Sequence, residues 1–436
     1  MTADNTKERR GFRASDIWLI FGRRGSLKQL SILGALVIII MIFQIWTNGT
    51  TLSSGNVINL VQAYSFILIL SVGMVMVIIT GHIDLSVGSV AAFVGIVVAT
   101  SMRDWGLPWW AGILLGIALG AAIGAFQGFW VAYVGIPAFI VTLAGMMIWR
   151  GAQQWVGQAQ TVAVPDGFRQ ALYGYLPEVG PATPYNNLTL LLGLIVVLAI
   201  IFFQVRSRAK RKSSGAMLEP VWVVVARTGL LSAVVIYATL LFASGRVGTS
   251  FPFSGIILAV LILFYAFLTS RTKIGRHIYA VGGNRRAAEL SGVNSRRTDF
   301  FVMMNMSTLA GVAGMLWAAR AGAAGPGDGT MWELDAIAGV FIGGAAVAGG
   351  IGTVFGAVIG GLVMAVLNNG LQLVGVPTDR MQVIKGLVLL VAVGIDVLNK
   401  QQGRFSFIGI MMAKLKSGRT GGQLEQPQQT SISDKS

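Results

Sequence analysis

The chain contains no cysteine and only two histidines, His82 and His277, among 436 residues. The first absence removes disulfides, a thiol nucleophile and any cysteine-based metal site, and the second leaves too few imidazoles for a histidine cluster. Charge is sparse at 11% of residues, and acids are outnumbered by bases, 17 to 33. No GxxxxGK[ST] phosphate loop, HExxH pair or GxSxG elbow occurs. The signatures of nucleotide, zinc-dependent and serine-based hydrolysis are therefore missing, and neither a cofactor nor a metal is indicated.

What is present is apolar sequence. With 54% hydrophobic residues and a mean hydropathy of +0.72, the chain reads as an all-α polytopic membrane protein. Stretches of about the 20 residues that a ~30 Å hydrocarbon core demands fall at 30–46, 60–80, 86–101, 109–133, 138–156, 188–205, 220–242, 253–270, 300–320, 335–348, 353–374 and 382–398. Two of these, 86–101 and 335–348, are short enough to be re-entrant or kinked, which gives ten to twelve transmembrane helices.

A net charge of +16 raises the question of nucleic acid, and the distribution answers it. With the N-terminus placed inside, the intervals 1–29, 206–219, 271–299 and 399–436 hold 7, 5, 7 and 6 Lys and Arg residues, or 25 of the 33; the outside intervals hold Arg103, Arg169, Arg246, Arg380 and the border residue Arg320. That asymmetry is the positive-inside pattern, so the partner implied is the lipid bilayer, with both termini cytoplasmic and no nucleic acid.

Three segments follow: a basic N-terminal segment 1–29, a transmembrane domain 30–398 and a cytoplasmic tail 399–436. The first lacks a cleavage pattern after its apolar run, so helix one is expected to stay in the membrane. Asp16–Phe21 and Phe405–Ala413 suit interfacial helices, and Ser417–Ser436 a disordered end. Outside, 157–187 carries Pro165, Pro177, Pro181 and Pro184, which deny it a long helix. Its aromatics Phe168, Tyr173, Tyr175 and Tyr185 suit either a soluble partner or a lid lying on the membrane.

The longest polar interval inside the oily sequence is Arg271–Asp299. A turn at Gly282-Gly283-Asn284, a short helix over Arg285–Ser291 and a stop at Gly292 are expected there. Such a shaped loop exceeds what joining two spans requires.

An internal repeat is also visible. Gly116 and Gly356, Gly120 and Gly360, and Pro137 and Pro377 are each 240 positions apart. The openings Ile83-Asp84-Leu85-Ser86-Val87-Gly88 and Leu334-Asp335-Ala336-Ile337-Ala338-Gly339 share an apolar-Asp-x-x-x-Gly pattern. By the topology above the two copies are inverted, a construction common in transporters. Each candidate also has a plain structural role. Gly116, Gly120, Gly124, Gly356 and Gly360 permit close helix packing by default, with pathway lining the alternative. Asp84 and Asp335 cap helix starts by default, with a cation or proton role the alternative. Arg150, Arg227 and Lys385 are expected to snorkel, and Gln127, Asn305, Asn368 and Asn369 to face the interior, where interhelical bonds or sugar hydroxyls would use them. Buried acids in mid-span are nearly absent, which disfavours ion coupling.

The string Gly275-Arg276-His277-Ile278-Tyr279-Ala280-Val281-Gly282-Gly283-Asn284, continuing through Ala287-Ala288-Glu289-Leu290-Ser291-Gly292-Val293-Asn294, resembles the coupling loop of permease subunits of bacterial monosaccharide ABC importers. Thr80–Ser89, Pro137–Gly145 and Glu333–Ala338 match that family's other motifs, departing at His82. The likeness covers about residues 55 to 398. Ribose-type members have a ten-helix plan; the extra pair 188–205 and 220–242 is similar to the xylose-type permease. The resemblance implies an inner-membrane permease, paired with a second permease copy, with cytoplasmic ABC ATPase subunits docked on Gly275, Ala280, Gly282, Asn284, Ala287, Ala288, Glu289 and Gly292, and a periplasmic sugar-binding protein outside. Asp84, Ser86, Gly88 and Asp335, at the two matching helix openings, are further candidates for helix packing or the pathway. The competing reading is an ion-coupled transporter or channel that needs no ATPase.

Overall fold

Polar caps and prolines set where most helices begin in the computed structural model, which describes residues 27–215, 220–245 and 248–401. The helices are α1 (Leu27–Trp46), α2 (Ser54–Ile79), α3 (Val87–Asp104), α4 (Trp109–Phe129), α5 (Ala138–Val156), α6 (Asp166–Tyr173), α7 (Asn187–Ser213), α8 (Val221–Ala243), α9 (Phe253–Arg271), α10 (Lys273–Gly283), α11 (Arg285–Leu290), α12 (Ser295–Ala321), α13 (Trp332–Ile342), α14 (Val354–Leu373) and α15 (Thr378–Gln401). The side chains of Ser53, Asn186, Thr272, Asn284, Asn294 and Thr353 accept a free amide at the starts of α2, α7, α10, α11, α12 and α14, each stabilising its helix by ~1 kcal/mol. Pro108, Pro137, Pro165, Pro220 and Pro252 stand directly before α4, α5, α6, α8 and α9, where their missing N–H costs nothing.

Among the described residues eight helices, α2, α3, α4 with the π turn Trp130–Val134 that follows it, α7, α8, α9, α12 and α14, are long and apolar enough to cross a membrane. α1, α5 and α15 lie where spans were expected but carry shorter apolar stretches or more polar side chains. The segment expected at 335–348 is an 11-residue helix, α13, ~16 Å long at 1.5 Å per residue, so it cannot cross. Turns with left-handed glycines at 344, 349 and 350 follow it. The interfacial helices expected at Asp16–Phe21 and Phe405–Ala413, and the tail 417–436, lie outside the described residues.

The centre is built from α2 and α12. In lipid the hydrophobic effect does not drive helices together, so close packing and hydrogen bonds must, and small residues mark the contacts. A Cβ on Gly314 of α12 would overlap the Ala91 carbonyl of α3, and one on Gly73 of α2 would meet Met306 Sδ at 2.7 Å. The glycine row of α4 lies along α12: Gly116 faces Met315, Gly120 the Ser307 carbonyl and Gly124 the Met304 backbone. In the other half α14 lies on α2, with Gly361 against Leu68 and Asn369 and Asn56 exchanging amide hydrogen bonds of 2.9 and 3.0 Å. Each half thus lends its glycine-bearing helix to the leading helix of the other, the reciprocity a repeat predicts. The register pairs are not equivalent in detail, because Gly356 and Gly360 face the backbone at Gly343 and Gly339, at the end of α13.

The loop 157–187 is packed onto the helical body at several points. β1 (Val162–Ala163) pairs antiparallel with β2 (Ala323–Ala324), Phe168 of α6 is fully buried, and the Tyr175 hydroxyl donates to Gln62 Oε1 at 3.0 Å. Of the four aromatics, Tyr185 alone is exposed, at 41%.

Candidate coupling site

The polar interval folds as two helices, one more than expected. Thr272, in extended conformation, ends α9 and caps α10 through Gly275 N at 3.2 Å. Gly282 and Gly283 belong to α10 and form no turn; Asn284 alone makes the corner, closing α10 and capping α11 through Ala287 N at 3.0 Å. Gly292, at φ +84°, reverses the chain after α11, and Asn294 starts α12.

The inner face of this unit is tied to five parts of the membrane body. Gly275 lies on the Thr269 carbonyl, and Gly282 on the Ile79 carbonyl at the end of α2; a Cβ would overlap either oxygen. The same Ile79 carbonyl accepts from Gly350 N at 2.8 Å, and the Tyr279 hydroxyl donates to the Gly352 carbonyl at 2.7 Å, which reaches the start of α14. Arg285 grips Asp299 of α12 bidentately, at 2.7 and 3.1 Å, and the hydrogen bond it donates to this buried carboxylate raises the Arg285 guanidinium above its ordinary value. His82 Nε2, in the turn between α2 and α3, lies 3.2 Å from the same carboxylate. His82 thus joins that turn to the loop. A cavity of about 540 Å³ opens between this turn, Gly135–Phe139 and the Arg285–Asp299 pair.

The expected docking residues divide between two faces. Gly275 and Ala288 are buried and Ala280 and Gly282 half-buried, and of these Gly275 and Gly282 lie against backbone carbonyls of the membrane body. Asn284, Ala287, Glu289 and Gly292 are exposed. With them stands Leu290, 82% exposed. In sequence Leu290 is one more helix former in the run Arg285–Ser291, and a single large apolar side chain between Glu289 and Ser291 is the signal that marks it.

The second set of candidates converges deeper in the protein. Asp84 is fully buried, and its Oδ1 accepts from the Ser86 amide at 2.8 Å and hydroxyl at 2.6 Å, a turn just ahead of α3, whose first amides receive no side-chain cap. Ser86 in turn bonds Gln127 of α4. Gly88 lies so close to the Gly329 carbonyl and Glu333 that a Cβ would overlap the former, so the openings of α3 and α13 meet here. Asp84 Oδ2 and Glu333 Oε2 are buried without a hydrogen-bond partner among the described residues.

Asp335 does not cap α13; it pairs with Lys385 at 2.7 Å, so Lys385 does not snorkel either. Arg150 donates to the Asp328 carbonyl at 2.6 Å and braces the loop before α13. Gln127, Asn368 and Asn369 are buried as expected, and Asn305 bonds Tyr265. Asp84, Asp299, Glu333 and Asp335 are all buried, each within about a turn of a helix end. Among the described residues no three His, Asp or Glu are grouped to hold a metal.

Comparison with known proteins locates this architecture. The model of a family described as branched-chain amino acid transport system / permease component matches residues 56–212 and 171–393. A xylose transport system permease protein of Haemophilus influenzae is 37% identical over 378 residues, covering 86% of this chain and 98% of that protein. Its Escherichia coli K12 namesake is 38% identical over 376 residues, covering 86% and 93%. A ribose import permease protein of E. coli K12 is 31% identical over 402 residues, covering 92% and 100%. No solved structure matches.

Proposed function

Because the chain belongs to the family of branched-chain amino acid transport system permease components, we propose that it is the membrane permease of an ABC importer for a monosaccharide, with xylose the sugar. The observation that carries the sugar class is the near full-length similarity to xylose permeases at 37–38%, against 31% for the ribose permease; all of these are named for sugars, although the family description names amino acids. In this reading the exposed ridge of α10 and α11 takes a cytoplasmic ABC ATPase, a periplasmic sugar-binding protein meets the opposite side, and a second permease copy completes the path across a bacterial inner membrane, with both termini cytoplasmic.

The ties of α10–α11 supply a mechanism for the coupling. A displacement of the ridge is passed through Gly282 to the end of α2, through Arg285–Asp299 to α12, through His82 to the turn ahead of α3, and through Tyr279 to α14. Both central helices are therefore loaded together, and their close backbone contacts transmit the load because a packed interface has few intermediate arrangements. The permease contributes no hydrolytic chemistry in this scheme.

The test is uptake of labelled xylose into vesicles holding the chain, its ATPase and its binding protein. Uptake requires ATP on the ATPase side, and Ala287→Glu or Leu290→Glu abolishes ATPase recruitment without altering membrane insertion. Arg285→Gln leaves the ATPase bound and lowers xylose moved per ATP by about tenfold, equivalent to ~1.4 kcal/mol of lost coupling. The buried, incompletely satisfied carboxylates of Asp84 and Glu333 are what an ion-coupled carrier would use. Uptake that persists without the ATPase and collapses with a protonophore would establish that reading instead.

A further inference from the structure

The α7–α8 hairpin is closed at one end and open at the other. Where α7 begins, Gly193 sits directly against Thr239 of α8, close enough that a Cβ would overlap that side chain. Toward the opposite end the helices part and leave a groove of about 630 Å³ whose walls are almost wholly apolar, among them Ile201, Val205, Val221 and Val225. Gly229 on its floor has nothing within 4 Å of its Cβ direction. Two cationic side chains, Arg208 and Lys212, line the same groove. They belong to a run of five bases, Arg206, Arg208, Lys210, Arg211 and Lys212, within which no acid occurs.

A groove of this kind between lipid-facing helices cannot stay empty, since its walls would forfeit their contacts on one side. Apolar walls select a hydrocarbon chain, and cations at the open end select a negative head attached to it. A free anion fits only the second requirement and a neutral lipid only the first. We propose that the splayed end of the α7–α8 hairpin is a binding site for an anionic phospholipid, with an acyl chain between the helices and the phosphate at Arg208 and Lys212. Basic pockets between spanning helices hold anionic headgroups by this chemistry generally. The site is independent of which sugar the protein carries. It gives the inserted hairpin a role of its own, as the part of the permease that reads the charge of the surrounding membrane.

Native mass spectrometry of the detergent-purified chain, titrated with phosphatidylglycerol and with phosphatidylcholine, tests it. The expected result is retention of phosphatidylglycerol at roughly tenfold lower concentration than phosphatidylcholine. Arg208→Gln with Lys212→Gln removes the preference, and Gly229→Leu, which fills open space and leaves the fold intact, lowers retention of both lipids. Equal retention of the two lipids by the unmodified chain overturns the proposal, as does a preference that survives both variants. Because the chain has no cysteine, Ser232→Cys provides a unique thiol within the groove. A disulfide-linked dimer in native membranes would put a second copy there and overturn the proposal, whereas a monomeric thiol protected by added phosphatidylglycerol from an apolar maleimide supports it.

Discussion

Helix α2 and the hairpin α7–α8 are similarly oily in sequence and opposite in fate. The apolar window of α2 is buried along its whole length, whereas those of α7 and α8 are 11% and 6% buried. Apolarity cannot make that distinction in a membrane, because lipid is as good a solvent for leucine as a protein core is. The difference lies in the small and polar residues. α2 carries Asn56, Gln62, Ser65, Ser71 and Gly73, all buried, while the run from Leu190 to Phe203 of α7 offers Gly193 as its one buried residue. Interior helices are recognised by what would be uncomfortable in hydrocarbon, not by what is at home there.

The sharpest way to break this comparison is to fill a backbone contact at the centre. Gly314→Leu must displace the Ala91 carbonyl, which has no rotamer to yield, and is expected to destabilise the protein by ~3 kcal/mol or more; thermal unfolding followed by fluorescence, together with loss of the monodisperse peak, measures it. If the variant unfolds at the unmodified temperature, the central packing has been misjudged.

Breaking the Lys385–Asp335 pair has the next largest effect. Lys385→Met leaves a largely buried carboxylate alone and costs ~3 kcal/mol, and adding Asp335→Asn restores most of it. A double variant no better than the single would show that the two side chains do not act as a pair. The smallest change is on the hairpin surface, where Leu194→Ala exchanges one lipid contact for another and alters stability by less than ~0.5 kcal/mol. A loss comparable to the central substitution would mean that α7 packs on protein.

Most helices and the polar interval were legible because their signals are local: prolines and caps at the starts, charge asymmetry in the loops, and glycines at intervals of four along α4. What escaped was set by tertiary contact. Gly282-Gly283 reads as a turn, yet it continues a helix because Ile79 needs that space. Asp335 and Lys385 are 50 positions apart, and each has a plausible solitary role until the fold joins them. The inward turn of Ala288 and the exposure of Leu290 follow from the attachment of α11 through Arg285, which no periodicity over six residues could have fixed.

The exchange of glycine-bearing helices between the two halves also governs how the protein can be made. When the insertion machinery has released α4, the Gly116–Gly124 row still faces lipid, since its partner α12 lies some 180 residues further along the chain. Buried groups on α2, Asn56 among them, likewise wait for α14. The first half must therefore persist in the bilayer as loosely associated helices until translation is nearly finished, and premature termination would leave a product with no stable half to salvage.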